Sequence, residues 1–282
     1  MQRILNLTAI LLFAAGALLA ATKTHAAEAT FTRSLAINGH AELTVETGSG
    51  TIHLTRGPAG SIHVFGRVRS SWGGSEQRVR EIADHPPVQQ TGNIVRIGAG
   101  LHNLHNISID YEVQAPDGVL LNASTGSGNI NNDGVGQNAK LETGSGNIHA
   151  SGLKGSFSVE TGSGNIFADQ ETAGDVKAET GSGNLELHRI RGSLKAETGS
   201  GAIKVDGAPT GNWKLETGSG SIEIWTNNAN FNLDAESGSG AIHLDRAILT
   251  QGSEGKHHIS GKVGSGGPLV RLEAGSGSIR VH

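Results

Sequence analysis

Five pairs of a basic and an acidic side chain stand two residues apart in this chain: Lys140 with Glu142, Lys177 with Glu179, Lys195 with Glu197, Lys214 with Glu216, and Arg271 with Glu273. A carboxylate beside a cation can tune a proton donor, hold a charged ligand or anchor a polar polymer. Repetition separates these options, because a catalytic centre occurs once, whereas a column of identical pairs makes a surface. Glycoside hydrolysis needs two carboxylates flanking one bond. Here each glutamate of the column has a cationic neighbour, and no aromatic sugar platform accompanies the pattern. Lys140, Glu142, Lys177, Glu179, Lys195, Glu197, Lys214 and Glu216 are therefore the candidate binding surface, and no catalytic set is expected among them.

Other reactive groups are repeated in the same way. Ser127, Ser145, Ser163, Ser182, Ser200, Ser219 and Ser239 each sit between two glycines. The GxSxG spacing of a nucleophile elbow is missing, so these serines read as corners. The glycine loops lack both the GK[ST] ending of a P-loop and the third glycine and helix of a dinucleotide site, and no cofactor is expected. A period of 18 is twice the nine-residue repeat of calcium-binding β-rolls, yet no aspartate is regularly placed after the turn. It is also three times the hexapeptide repeat of acyltransferases, but no single catalytic histidine stands out. His53, His149 and His243 take a solvent-side position just after a turn and His257 adjoins His258, without falling on consecutive repeats, so no metal site is expected. Non-repeating acids and bases gather in one place, residues 66–106, with Arg67, Arg69, Arg78, Arg80, Glu81, Asp84, His85, His102 and His105. A carbohydrate-acting β-helix enzyme, the alternative reading, would have its site there.

What positions these side chains is the unit LETGSGNIHA, Leu141 to Ala150. The first glycine of each copy falls at Gly126, Gly144, Gly162, Gly181, Gly199, Gly218 and Gly238, in steps of 18, 18, 19, 18, 19 and 20 residues, with a further copy at Gly275 and an early one at Gly48. Constant spacing of this kind marks a stack of structural repeats. Parity within a copy sends Leu141, Thr143 and Ile148 inward, with their counterparts Val159, Thr161, Ile166, Ala178, Thr180, Leu185, Ala196, Thr198, Ile203, Leu215, Thr217 and Ile222. The Lys and Glu columns point outward, where alternating charge relieves the repulsion of a bare glutamate column at the ~4.8 Å spacing of neighbouring strands. Glycine supplies the positive φ of a tight corner, and Asn129, Asn147, Asn165 and Asn184 are expected to tolerate the same region. The fold class is all-β: a single-stranded, β-helix-like solenoid of about 18–19-residue rungs. About eight to twelve turns would give a rod of roughly 40 to 55 Å. One short helix is expected at Ser75 to Asp84, in an irregular N-terminal part, with Ser75 as its cap and Val79 and Ile82 facing inward. The final strand, ending at His282, is expected to leave an open rung.

Residues 1–26, with Arg3 ahead of the apolar run Ile4 to Ala21, read as a secretory signal peptide. Residues 27–118 then form an irregular β-rich cap, and 119–282 the regular solenoid. The chain has no cysteine, so disulfides are not available to it in an oxidising compartment. Its net charge of −4 falls further when Arg3 and Lys23 leave with the leader, which argues against nucleic acid as a partner. No membrane span is expected after cleavage, and no C-terminal sorting tail follows His282. The expected location is exported: periplasm, cell surface or medium.

The repeated ETGSGNI units, the run NISIDYEVQAP at Asn106 to Pro116 and the closing ISGKVGSGGPLVRLEAGSGSIRV together resemble the bacterial putative-adhesin family, a domain of unknown function built from β-strand repeats. The resemblance covers most of the mature chain. It implies an envelope or surface β-solenoid without known catalytic residues, and carries over no functional residues. The expected function is a non-enzymatic, adhesin-like binding or structural scaffold. Its partner would be an envelope protein or glycan, or a second copy joined through the open C-terminal rung.

Overall fold

The computed structural model describes residues 26–71, 74–100, 104–250 and 255–282. Residues 1–25, with almost all of the expected signal peptide, and His102 lie outside the described residues. The rest is all-β apart from one helix, and its strands join a single sheet of 23 strands wound into a solenoid-like stack.

Each rung has two strands meeting at a GSG corner, and is named here by its first corner glycine. In the Gly144 rung, strand A is Gln137–Ser145 and strand B is Ile148–Lys154. Both pair in parallel with the same strands of the neighbouring rungs. Lys140 lies beside Ser158, Ser158 beside Lys177, Lys177 beside Lys195 and Lys195 beside Lys214. Equivalent positions of successive rungs therefore stack on one another. Inward side chains of both strands meet in one core: Leu141, Val159, Ala178, Ala196 and Leu215 from the A strands, Ile148, Ile166, Leu185, Ile203 and Ile222 from the B strands, all buried.

The corner explains the consensus. The third-position glycines Gly146, Gly164, Gly183, Gly201 and Gly220 have φ between +151° and +157°, and a Cβ on Gly164 would lie 1.9 Å from the Gly146 carbonyl oxygen of the rung below. Gly144 carries a similar constraint, since a Cβ there would meet the Gly126 carbonyl oxygen at 2.6 Å. Corners can stack only if neither position has a side chain. The buried threonine before the corner then satisfies a carbonyl of the adjacent rung: Thr143, Thr161 and Thr180 Oγ1 donate to Gly128, Gly146 and Gly164 oxygens, each at 2.9 Å. The column of asparagines works differently from the expectation. Asn129, Asn147, Asn165 and Asn184 are not among the positive-φ residues. Their side-chain oxygens accept the next rung's backbone N–H, Asn147 N to Asn129 Oδ1 at 2.9 Å and Asn165 N to Asn147 Oδ1 at 2.8 Å. They are a ladder of side-chain hydrogen bonds.

Order along the stack follows the chain except at its end. The Gly48 rung (Glu42–Ser49 and Ile52–Arg56) sits directly on the Gly126 rung, so part of the 27–118 segment is itself a rung of the stack. The Gly162, Gly181, Gly199 and Gly218 rungs continue beyond Gly144. The Gly275 rung comes next, with Trp213 beside Val270 and Ile222 beside Ile279, and the Gly238 rung packs on its far side, with Leu233 beside Val270 and Ile242 beside Ile279. The expected open C-terminal rung is thus corrected: Leu269–Ser276 and Ile279–Val281 are hydrogen-bonded on both edges and lie inside the stack. Among the described residues Ile242–Leu244 of the Gly238 rung has a strand partner on one side alone, while its A strand is covered by the antiparallel His258–Val263, on which Ile248–Thr250 pairs in turn.

At the opposite end Ile94–Ile97 and Ile107–Ala115 pair with the Gly48 rung, and Val88–Thr91, Ser61–Ser70 and Glu28–Ala36 close over them in antiparallel fashion. The helix Glu76–Asp84 packs against Glu28–Ala36 and Ser61–Ser70 through buried Val79 and Ile82. Ser75 caps it by accepting from Arg78 N at 3.2 Å.

Candidate functional site

The outward faces of the A strands carry the charged columns, and the stacking turns them into a zipper. Lys140 Nζ lies 2.6 Å from Glu142 of its own rung. Each later lysine reaches two carboxylates: Lys177 is 2.7 Å from Glu160 and 2.9 Å from Glu179, Lys195 is 2.7 Å from Glu179 and 2.9 Å from Glu197, and Lys214 is 2.8 Å from Glu216 and 3.9 Å from Glu197. All eight residues named from sequence therefore lie on one face: Lys177 to Glu216 form one linked ladder, and Lys140–Glu142 is a separate pair on the far side of Ser158. Glu160 also belongs to the ladder, above Ser158 where the lysine column is interrupted.

The electrostatics follow from these bonds. The Glu160 and Glu179 carboxylates raise the pKa of Lys177, Glu142 does so for Lys140, Glu179 and Glu197 for Lys195, and Glu216 for Lys214. Desolvation works against ionisation of Glu179, but the Lys195 and Lys177 bonds overcome it and hold the carboxyl below its usual value. At the join with the C-terminal rung, Lys214 holds Glu216 low, and the adjoining Glu216 pushes Glu273 up. Beside the ladder, where corner glycines leave no side chains, runs a groove of about 740 Å³ lined by Glu142, Glu160, Glu179, Glu197 and Glu216 with the neighbouring threonines and glycines. One wall is an acidic row neutralised from behind by lysine. Such a trough can offer evenly spaced acceptors to an extended polar chain.

The non-repeating group at 66–106 separates into local pairs. Arg67 lies 3.6 Å from Glu28 and Arg69 pairs with Asp110, while on the helix Arg78 lies 2.8 Å from Glu81 and Arg80 pairs with Glu76. Tyr111 is buried with no hydrogen-bond partner for its hydroxyl among the described residues, and burial raises its pKa. His257 and His258 turn to separate partners, the Gly240 carbonyl and Asp234. Among the described residues no group of three or more acidic or histidine side chains is arranged to hold a metal ion.

On the outward face of the B strands the structure gathers side chains that the sequence pattern did not single out together. His149 and Phe167 stack with centroids 4.5 Å apart, and His188 follows at 5.0 Å from Phe167. Further along, Trp225 stacks on His282 at 4.9 Å with the rings 4° from parallel. His282 in turn lies 2.9 Å from Glu223 and 2.7 Å from Asp245.

The Toastrack DUF4097 family matches residues 38–282. The chain belongs to that family. The matched range of this Toastrack chain starts just before the Gly48 rung and runs to the C-terminal residue, so it takes in both the ladder and the aromatic row. Among solved structures, a "putative cell adhesion protein" from Clostridium sporogenes is 13% identical, covering 90% of this chain and 98% of that one, with a TM-score of 0.31. A "putative adhesin" from Bacteroides fragilis is 14% identical over 90% of this chain and 97% of that one, with a TM-score of 0.26. A third, from Parabacteroides merdae, is 11% identical over 90% and 96%, with a TM-score of 0.28. No curated protein matches the Toastrack chain. Among its described residues no helix is long and apolar enough to cross a membrane.

Proposed function

We propose that this protein is an exported, adhesin-like binding scaffold of the cell envelope, without catalysis of its own, built as a single-stranded solenoid of 18–19-residue rungs. The observation that carries this reading is the Lys–Glu zipper from Glu160 and Lys177 to Glu216, with the Lys140–Glu142 pair in line with it and the groove alongside. A surface that repeats one set of donors and acceptors rung after rung suits an extended partner with its own repeat, such as an envelope glycan or a fibrous protein. Exposed ion pairs contribute only about 0 to 1 kcal/mol each to stability. Recognition therefore gives a fuller reason for the column than folding does. The apolar run ahead of residue 26 supports export.

The test is capture of solubilised envelope fractions by the purified protein, compared with a variant carrying Lys177→Glu and Lys195→Glu. Retention of an envelope glycan or protein by the wild type, lost in the variant and weakened by salt, is the expected result. Equal retention by both would remove the ladder from the binding surface, and no retention by either would remove the scaffold reading.

A further inference from the structure

Between the two aromatic clusters of the B face lies a cavity of about 300 Å³ lined by Glu186, Leu187, His188, Lys204, Val205, Asp206 and Trp225. We propose that it is a binding site for a neutral glycan, with Trp225 as the stacking platform and Glu186, Lys204 and Asp206 as the groups that bond the sugar hydroxyls. The inference rests on the binding-scaffold reading and gives that reading a place and a ligand class.

The geometry follows from the rungs. Asp206 lies beside Trp225 in the parallel register, and His188 Nδ1 contacts Asp206 from the rung before. His188 and Trp225 are thus two rungs apart, about 10 Å along the stack, with the Asp206 rung as the floor between them. One face of the indole is taken by His282. Trp225 as a whole nevertheless remains 37% exposed and lines the cavity. What sets this indole apart is its setting: it lines a cavity together with the charged side chains of Glu186, Lys204 and Asp206.

Sugar chemistry suits that setting. A pyranose has a face of C–H bonds that packs on an aromatic ring, and a rim of hydroxyls that both donate and accept. Glu186 and Asp206 accept, and Lys204, which makes no ion pair among the described residues, donates. The acids are held in place: Glu186 Oε1 lies 3.0 Å from His188 Nε2, and Asp206 Oδ2 accepts from Arg189 N at 3.2 Å. The volume is at the small end of ligand cavities, the size of one or two sugar rings rather than of a protein epitope, which would bury about 800 Å² per partner. An anionic sugar is disfavoured by Glu186 and Asp206 in the cavity and by Glu223 and Asp245 beside it.

The experiment titrates the purified protein with chitotriose, cellotriose and maltotriose, and with trigalacturonate as the anionic counterpart, by calorimetry and tryptophan fluorescence. At least one neutral trisaccharide should bind, trigalacturonate should not, and Trp225→Ala should weaken binding by about tenfold or more. Because Trp225 is on the outward face, the variant should melt close to the wild type; Lys204→Ala, exposed on the same face, gives a second variant with the same expected direction. Absence of binding by all three neutral sugars, equal affinity of Trp225→Ala and wild type, or preference for trigalacturonate would each overturn the proposal. If the protein still captured envelope material in a ladder-dependent way, the glycan site would fall while the scaffold reading stood. Trisaccharide binding without that capture would have the reverse meaning.

Discussion

At the scale of single residues, the repeat consensus is a set of steric and hydrogen-bonding requirements passed from rung to rung. Thr180 illustrates the polar part: it is buried, and its hydroxyl donates to the Gly164 oxygen at 2.9 Å. Thr180→Val keeps the shape but leaves that carbonyl without the bond, and should cost about 1 to 3 kcal/mol in urea unfolding, while Thr180→Ser should recover most of it. Gly164→Ala should be worse than either, because its Cβ would meet backbone rather than a yielding side chain. The ladder has a pH signature. Glu179 is held below the usual carboxylate value of 4.5 by its bonds to Lys195 and Lys177, so its contribution is present above pH 4.5 and is lost as the pH falls through the lower folded value. Lys177 is shifted upward from 10.5, so its contribution is present below that pH and disappears as the pH rises through the higher folded value. Glu273, shifted upward, works in the opposite sense to Glu179, since the folded state holds its proton more tightly. Thermal midpoints of wild type and Lys177→Gln should differ most between about pH 5 and 10 and converge in strong acid and strong base, and salt should narrow the gap. The inward threonines and outward Lys–Glu pairs were legible in the sequence, because strand parity and repeat period assign them without tertiary information. The asparagine ladder was not, because the side chain that tolerates positive φ is also the one that can accept a neighbour's N–H.

At the scale of the element, each two-stranded rung is too small to bury its own apolar residues and depends on the rungs on either side. Ile166 is buried between Ile148 and Leu185 in the B-strand column. Ile166→Ala should cost about 2 to 5 kcal/mol. Hydrogen exchange should show the loss of protection strongest in the Gly144, Gly162 and Gly181 rungs, and a uniform loss over the whole stack would contradict nearest-neighbour coupling. The helix was legible for a different reason: Ser75 and the paired Val79 and Ile82 are local signals, and all three do in the structure what their spacing implies. The B-face aromatic row escaped the sequence reading because its members do not share one column. His149 and Phe167 directly follow the first strand residue of their rungs, whereas His188 and Trp225 stand two places later, and His282 is the last residue of the chain. Aligning the repeats scatters the rings, and only the stacking of rungs brings them together, Phe167 meeting His188 across two neighbouring positions of adjacent strands.

At the scale of the whole molecule, the unforeseen feature is the order of the last rungs. The copies at Gly238 and Gly275 carry the same corner and the same inward pattern, so either could stack on the Gly218 rung, and the period alone offers no means of choosing. The structure places the Gly275 rung there, with the Gly238 rung outside it. Removing residues 268–282 should therefore disturb the Gly238 rung, whose Gly238 amide donates to the Ala274 oxygen at 2.9 Å. Exchange protection should be lost at Gly238 and kept from the Gly126 to the Gly181 rungs, an outcome that chain order by itself would not give. The same arrangement bears on mechanics. Under the proposed scaffold role the load would be tension, and a strand on the outermost rung would peel away one hydrogen bond at a time. Here the terminal strand is clamped on both edges, with His282 N bonded to the Ile224 oxygen at 2.9 Å and Asp245 N to the Val281 oxygen at 2.9 Å. A pull along that strand must shear both rows of bonds together, so under the proposed scaffold role this strand would be a grip suited to bearing force.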